Sequence, residues 1–140
     1  MFCLYVDPNP VIEPTYANEP QNMSNRITTD FQFNIGENKL KDFKAFVNKM
    51  IETTALNEPN TLVYEWHINA SGNEGHLLET FTDSEAFLTH LDNVGHMFDE
   101  LFTYATITRA KIYGATSDEL KQSLDPLGVE YFEHFNGITR

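Results

Sequence analysis

Cysteine is almost missing from this 140-residue chain. The only one is Cys3, so no intramolecular disulfide can form and nothing points to an oxidising compartment. Basic residues are scarce as well: 9 Lys and Arg stand against 21 Asp and Glu, a net charge of −12. So acidic a surface repels phosphate backbones and anionic lipid, which argues against nucleic acid and membrane as partners. No stretch approaches the roughly 18 apolar residues of a membrane span. The opening run Phe2–Val6 is short, lacks a basic flank and stops at Asp7. It is not expected to act as a signal peptide, and a cytoplasmic location is the expectation. Motifs that carry chemistry are absent too. There is no HExxH, no Cys/His cluster, no GxSxG, and no GxGxxG or P-loop around the glycines. No metal or cofactor is therefore expected, and Ser or Cys nucleophilic catalysis has no support.

What is present is apolar and aromatic. The chain is 41% hydrophobic with 11 Phe, 6 Tyr and 1 Trp, which suits one core of ordinary size. Residues 1–25 differ from the rest. They hold Pro8, Pro10, Pro14 and Pro20 and contain no Lys or Arg, so they read as an extended arm. From Arg26 to Ile35, Phe31, Phe33 and Ile35 alternate with polar residues, the period of a strand. From Glu37 to Leu56, Leu40, Phe43, Phe46, Val47, Met50 and Ile51 recur at helical spacing. Glu58-Pro59-Asn60 ends that helix. Thr61–Ile68 and His76–Phe81 read as a strand pair joined by the turn-rich stretch from Asn69 to Gly75. A second helix follows, with Thr82 and Glu85 spaced as a capping box, Asp83 and Ser84 as further cap candidates, and Gly95 as its interruption. Tyr104–Tyr113 is a fourth strand. Residues 115–140 supply a short helix, capped by Thr116 and stopped by Pro126, and an aromatic tail expected to pack back on the domain or a partner.

The order β-α-β-β-α-β is the split-βαβ arrangement, an α+β ferredoxin-like fold with a four-stranded antiparallel sheet over residues 26–114. Both helices must cover one face of that sheet. The other face then calls for a second subunit, so a homodimer is expected, with Tyr64 and Trp66 as candidates for the seam.

Two stretches carry a family resemblance. One is Glu58-Pro59-Asn60-Thr61-Leu62-Val63-Tyr64-Glu65-Trp66. The other is Glu79-Thr80-Phe81-Thr82-Asp83-Ser84-Glu85-Ala86-Phe87-Leu88-Thr89-His90-Leu91. Together they resemble the antibiotic-biosynthesis-monooxygenase (ABM) family. The resemblance implies a dimeric α/β barrel with a pocket between sheet and helices. It also implies, for some members, cofactor-free monooxygenation of quinols or anthrone-type polyphenols. Other members degrade haem, but the Asn, Trp and iron ligand of that branch align with Phe31, Phe81 and the neighbourhood of Asp99, so haem chemistry is not implied here.

With the hairpin centred near Gly72, Glu65 falls opposite Glu79, Trp66 opposite Leu78, and His67 opposite Leu77. His67 and His76 then lie on opposite faces. Two facing carboxylates would split their pKa values into one acid and one base, a usable pair for deprotonating a phenol or an acidic C–H. His90, one turn after Ala86, could reach Glu79. Phe31, Phe33, Phe81 and Phe87 are expected to wall the pocket around a flat aromatic ligand, with Tyr64, Trp66 or His90 as supporting donors. The leading reading is a cofactor-independent monooxygenase with Glu65 or Glu79 as base. The alternative is a non-catalytic dimeric module that holds a small aromatic ligand.

Overall fold

The computed structural model describes residues 25–140. The expected N-terminal arm, Cys3 included, lies outside the described residues except for Asn25. The elements are β1 (Ile27–Ile35), α1 (Leu40–Asn57), β2 (Thr61–Ile68), β3 (Glu74–Phe81), α2 (Ser84–Val94), a 3-10 turn (Gly95–Met97), α3 (Phe98–Tyr104), β4 (Ala105–Gly114), α4 (Asp118–Leu124), a 3-10 turn (Asp125–Leu127) and β5 (Glu130–Phe132). The strands form one sheet in the order β2-β3-β1-β4-β5. Its first four strands pair antiparallel in the ferredoxin-like order.

The sheet is therefore larger than the four antiparallel strands expected. β5 adds a fifth, parallel to β4. Gly128 makes this possible by adopting the left-handed region, φ 68°, which turns the chain back along β4. Phe132 then stacks on Tyr113 at 5.3 Å between ring centroids, and Tyr131 packs partly into the core.

Alternation builds the two faces. Ile27, Thr29, Phe31, Phe33 and Ile35 of β1 are buried, while the residues between them are not. The buried set meets Phe43, Phe46, Val47 and Met50 of α1 and Phe87 and Val94 of α2. α2 is capped by Asp83, whose carboxylate accepts from the Ala86 N–H at 2.8 Å. Of the cap candidates, Asp83 thus takes the position. In α4 the cap is Ser117 rather than Thr116, its hydroxyl accepting from the Leu120 N–H. Gly95 interrupts α2 as expected. A bulge between β1 and β4 pairs Gln32 with Arg109 and Phe33 with Ile107. Skipping Thr108 in this way lets both Ile107 and Ala110 face inward. Among the described residues no helix is long and apolar enough to cross a membrane.

The β2–β3 hairpin departs from the expected register by one residue. The observed partners are Tyr64 with Glu79, Glu65 with Leu78, Trp66 with Leu77 and His67 with His76. The cause is the loop. The Asn69 side chain accepts from the backbone N–H groups of Asn73 and Glu74, and the Asn69 N–H donates to the Glu74 carbonyl. This bracket pairs Asn69 with Glu74, so the hairpin axis falls beside Gly72 rather than on it. A one-residue slip exchanges the faces. Tyr64 and Trp66 turn in toward the helices, where Trp66 packs on Phe33 and Phe43, and they are not on the open face as the dimer-seam expectation had it. Glu65 turns out. His67 and His76 share the outer face instead of lying on opposite ones.

Gly114 closes β4 at φ +121°, and a Cβ there would run into the carbonyl oxygen of Arg26. Gly114→Ala should therefore lower stability by more than about 1 kcal/mol, read as a lower urea midpoint at unchanged slope. An unshifted midpoint would show that the β1–β4 junction yields freely.

Candidate active site

The α1–β2 junction, β3 and α2 bring three ionisable side chains together under the sheet. His90, on the inward side of α2, sits between two carboxylates. Its Nδ1 lies 2.8 and 3.0 Å from the Glu58 oxygens, and its Nε2 lies 3.2 Å from Glu79 Oε2. Their relative exposures are 2% for His90, 5% for Glu58 and 1% for Glu79. Each acid has further donors. Glu58 accepts from the Asn93 side-chain amide at 2.6 Å and the Thr61 hydroxyl at 2.7 Å. Glu79 accepts from the Thr29 hydroxyl at 2.8 Å.

Burial works against a charge on His90, but hydrogen bonds to Glu58 and Glu79, with their charges, outweigh it and push the imidazole up to about 9. His90 is thus a cation at neutral pH, donating from both ring nitrogens. Glu58 is held below its ordinary range. Burial raises it, and the hydrogen bonds from His90, Asn93 and Thr61 overcome that.

This chain of charges ends at a cavity of about 160 Å³. Glu79 and His90 line its polar end with Tyr64 and Trp66, and Phe31, Phe33 and Phe87 are among its walls. The Tyr64 hydroxyl and the Trp66 indole N–H are buried, and among the described residues neither has a hydrogen-bond partner. Burial first, then the Glu79 charge, drives the Tyr64 hydroxyl far above its usual pKa, so it remains a neutral donor. The Tyr64 ring lies 5.2 Å from the His90 ring. The Tyr64 hydroxyl lies beside Trp66 and Thr54 without a well-formed bond to either. The residues that carry these two donors line one apolar cavity with the Glu79 carboxylate, an arrangement that can hold a ligand oxygen and exchange a proton with it.

Most of the expected site residues meet here: Glu79, His90, Phe31, Phe33, Tyr64, Trp66 and Phe87. Two do not. Glu65 lies on the solvent side, its side chain 63% exposed and 3.4 Å from His67, so the Glu65–Glu79 pair does not form. Phe81 is fully buried but stands behind the wall, stacked on Phe87 at 4.3 Å. Glu58, Thr29 and Asn93 were missed. Glu58 did leave a trace in the sequence, because an acid at the C-terminal end of a helix opposes the macrodipole unless something else holds it. On the outer face His76 lies 2.9 Å from both Asp30 and Glu74. Among the described residues no group of three or more His, Cys, Asp or Glu is placed to hold a metal.

Comparison with solved structures gives the chain its relatives. MupZ from Pseudomonas fluorescens superposes with a TM-score of 0.75 at 30% identity, over 82% of this chain and 94% of that one. A candidate antibiotic biosynthesis monooxygenase from Bacteroides thetaiotaomicron matches at 18% identity and TM-score 0.55, over 67% of this chain and 90% of that one. The chain belongs to the ABM family. SnoaB, a cofactor-independent oxygenase from Streptomyces nogalater, shares the ABM fold at 16% identity and TM-score 0.56, over 66% of this chain and 95% of that one. No protein-family model and no curated protein sequence matches the chain.

The buried triad fixes a pH dependence. His90 is raised from 6.5, so its contribution to stability is complete below pH 6.5 and is lost as the pH climbs through about 9. Glu58 is lowered from 4.5, so its contribution is complete above that pH and is lost as the pH falls through the folded value. Thermal melts should show a plateau between these limits and a falling alkaline limb. Glu58→Gln should lower the plateau by about 3 kcal/mol and make the alkaline limb shallower. An equally steep limb in the variant would mean that His90 does not owe its proton to Glu58.

Proposed function

We propose that this ABM-family chain is a cofactor-independent enzyme, working as a homodimer, that transfers protons to and from an oxygen-bearing apolar small molecule. The observation that carries the reading is the Glu58–His90–Glu79 chain ending in an apolar cavity beside the unpartnered Tyr64 hydroxyl and Trp66 N–H. Glu79 is the group that meets the substrate proton. His90 holds a further proton 3.2 Å behind it, Glu58 keeps His90 charged and oriented, and Tyr64 and Trp66 hold the substrate oxygen. The homodimer is what the ABM resemblance implies, with the outer sheet face, where β1 presents Thr28, Asp30, Gln32 and Asn34, as its proposed seam.

The specific reaction proposed is monooxygenation of a quinol or polyphenol of anthrone type. Glu79 removes the acidic proton, and the resulting anion gives its electrons to dioxygen. A CH2 becomes C=O with one oxygen atom, the other leaves as water, and the substrate supplies all four electrons. The aromatic walls suit a flat ring system, and the apolar cavity keeps water from the reactive anion. One observation favours a second reading. Both Glu79 oxygens are engaged, while the free groups are donors, which suits redox-neutral proton transfer at a polarised C=O or C–O oxygen.

Oxygen consumption with a panel of quinols and anthrones, chelator present, separates them. Uptake by the native protein should fall about a hundredfold or more in Glu79→Gln and stay unchanged in Glu65→Gln. Conversion without oxygen uptake would replace the oxygenase by the redox-neutral enzyme. Binding without conversion of any substrate would leave a ligand-holding module.

A further inference from the structure

We infer that the substrate is a neutral, elongated molecule that goes in with its oxygen group leading and leaves its apolar end at a mouth between α3 and the turn after α4. The inference rests on the cavity being the substrate site of the proposed function.

Burial sets the direction. Glu79 and His90, at 1% and 2% exposure, mark the closed end. At the other end the lining includes Phe102, 39% exposed, and the exposed Pro126, with Phe98 and Leu127 beside them. Phe98 and Phe102 pair at 6.1 Å between ring centroids, giving that rim an aromatic edge. The exposed Phe102 and Pro126 give the cavity a mouth at this rim, so whatever does not fit at the bottom lies along it.

Charge sets the class. Two carboxylates around one imidazolium leave one negative charge in excess at the closed end. Among the described residues that line the cavity there is no Lys or Arg, and residues 1–25 contain neither. A carboxylate, phosphate or preformed phenolate would meet a site whose cation, His90, is already shared by Glu58 and Glu79. A neutral hydroxyl, ether or carbonyl meets two donors instead.

Trp66 is the only tryptophan and lines the cavity, so its fluorescence reports occupancy without turnover. The test titrates the full chain with unbranched 1-alkanols from butanol to decanol and with the alkanoates of matching length at pH 8. Alkanol affinity should rise about fourfold per methylene, and each alkanoate should bind at least about tenfold more weakly than its alcohol. Glu79→Gln should narrow that gap. Phe102→Ala, a change on the exposed rim, should weaken the long alkanols and leave butanol unchanged. Alkanoates that bind as well as alkanols overturn the charge argument. A Phe102→Ala effect equal along the series overturns the orientation, and no saturable response to either series overturns both. A catalytically silent protein that keeps the neutral preference would remove the proposed reaction and leave this inference standing.

Discussion

A charged imidazole buried between two carboxylates is the constraint around which this domain is organised. An ion taken out of water without compensation costs several kcal/mol, and each of these three would do so alone. Together they are satisfied only if four elements arrive in register. β1 must bring Thr29, β3 must bring Glu79, α2 must bring His90 and Asn93, and α1 must stop where Glu58 can turn back beneath it. Pro59 helps by preventing the helix from running on. The triad therefore ties the two helices to the sheet with directional bonds, where the aromatic core alone would tolerate sliding.

The same constraint separates rigid from reactive parts of the site. Glu58 accepts from His90, Asn93 and Thr61, so its acceptor capacity is largely used. Glu79 has fewer partners and borders the cavity. Tyr64 and Trp66 have donors to spare. Reactivity is thus confined to the end where bonds are unfilled, and the far end of the chain acts as an anchor. The fold shared with SnoaB does not dictate this arrangement, because a fold hosts many chemistries and the site decides among them.

Much of this was legible in the sequence. The β-branched run Thr61–Ile68 marked β2 at the bounds observed, and the alternation in β1 named its buried face. The one-turn spacing from Ala86 put His90 within reach of Glu79. Three things were not legible, each for a physical reason. Register was misread because hairpin parity depends on the Asn69 side chain closing the loop, a bond no periodicity reports. That single slip moved Glu65 out of the site and brought Tyr64 and Trp66 in. Glu58 was read as punctuation because its partner His90 is 32 residues away, beyond any local pattern. β5 escaped because a three-residue strand is too short to show alternation.

The Asn69 bracket has a consequence for how this hairpin can vary. The bracket sets which of two opposite faces each β2 residue occupies, so where it closes acts through parity. With the bracketed loop kept at its size, one residue added to β2 between Trp66 and Asn69 would swap Tyr64 and Trp66 for Glu65 and His67 over the core, while two would restore the original set one step along. Lineages of this hairpin should therefore lengthen and shorten in even steps, with odd changes surviving only where a bulge, such as the one already between Thr61 and Val63, absorbs the extra residue.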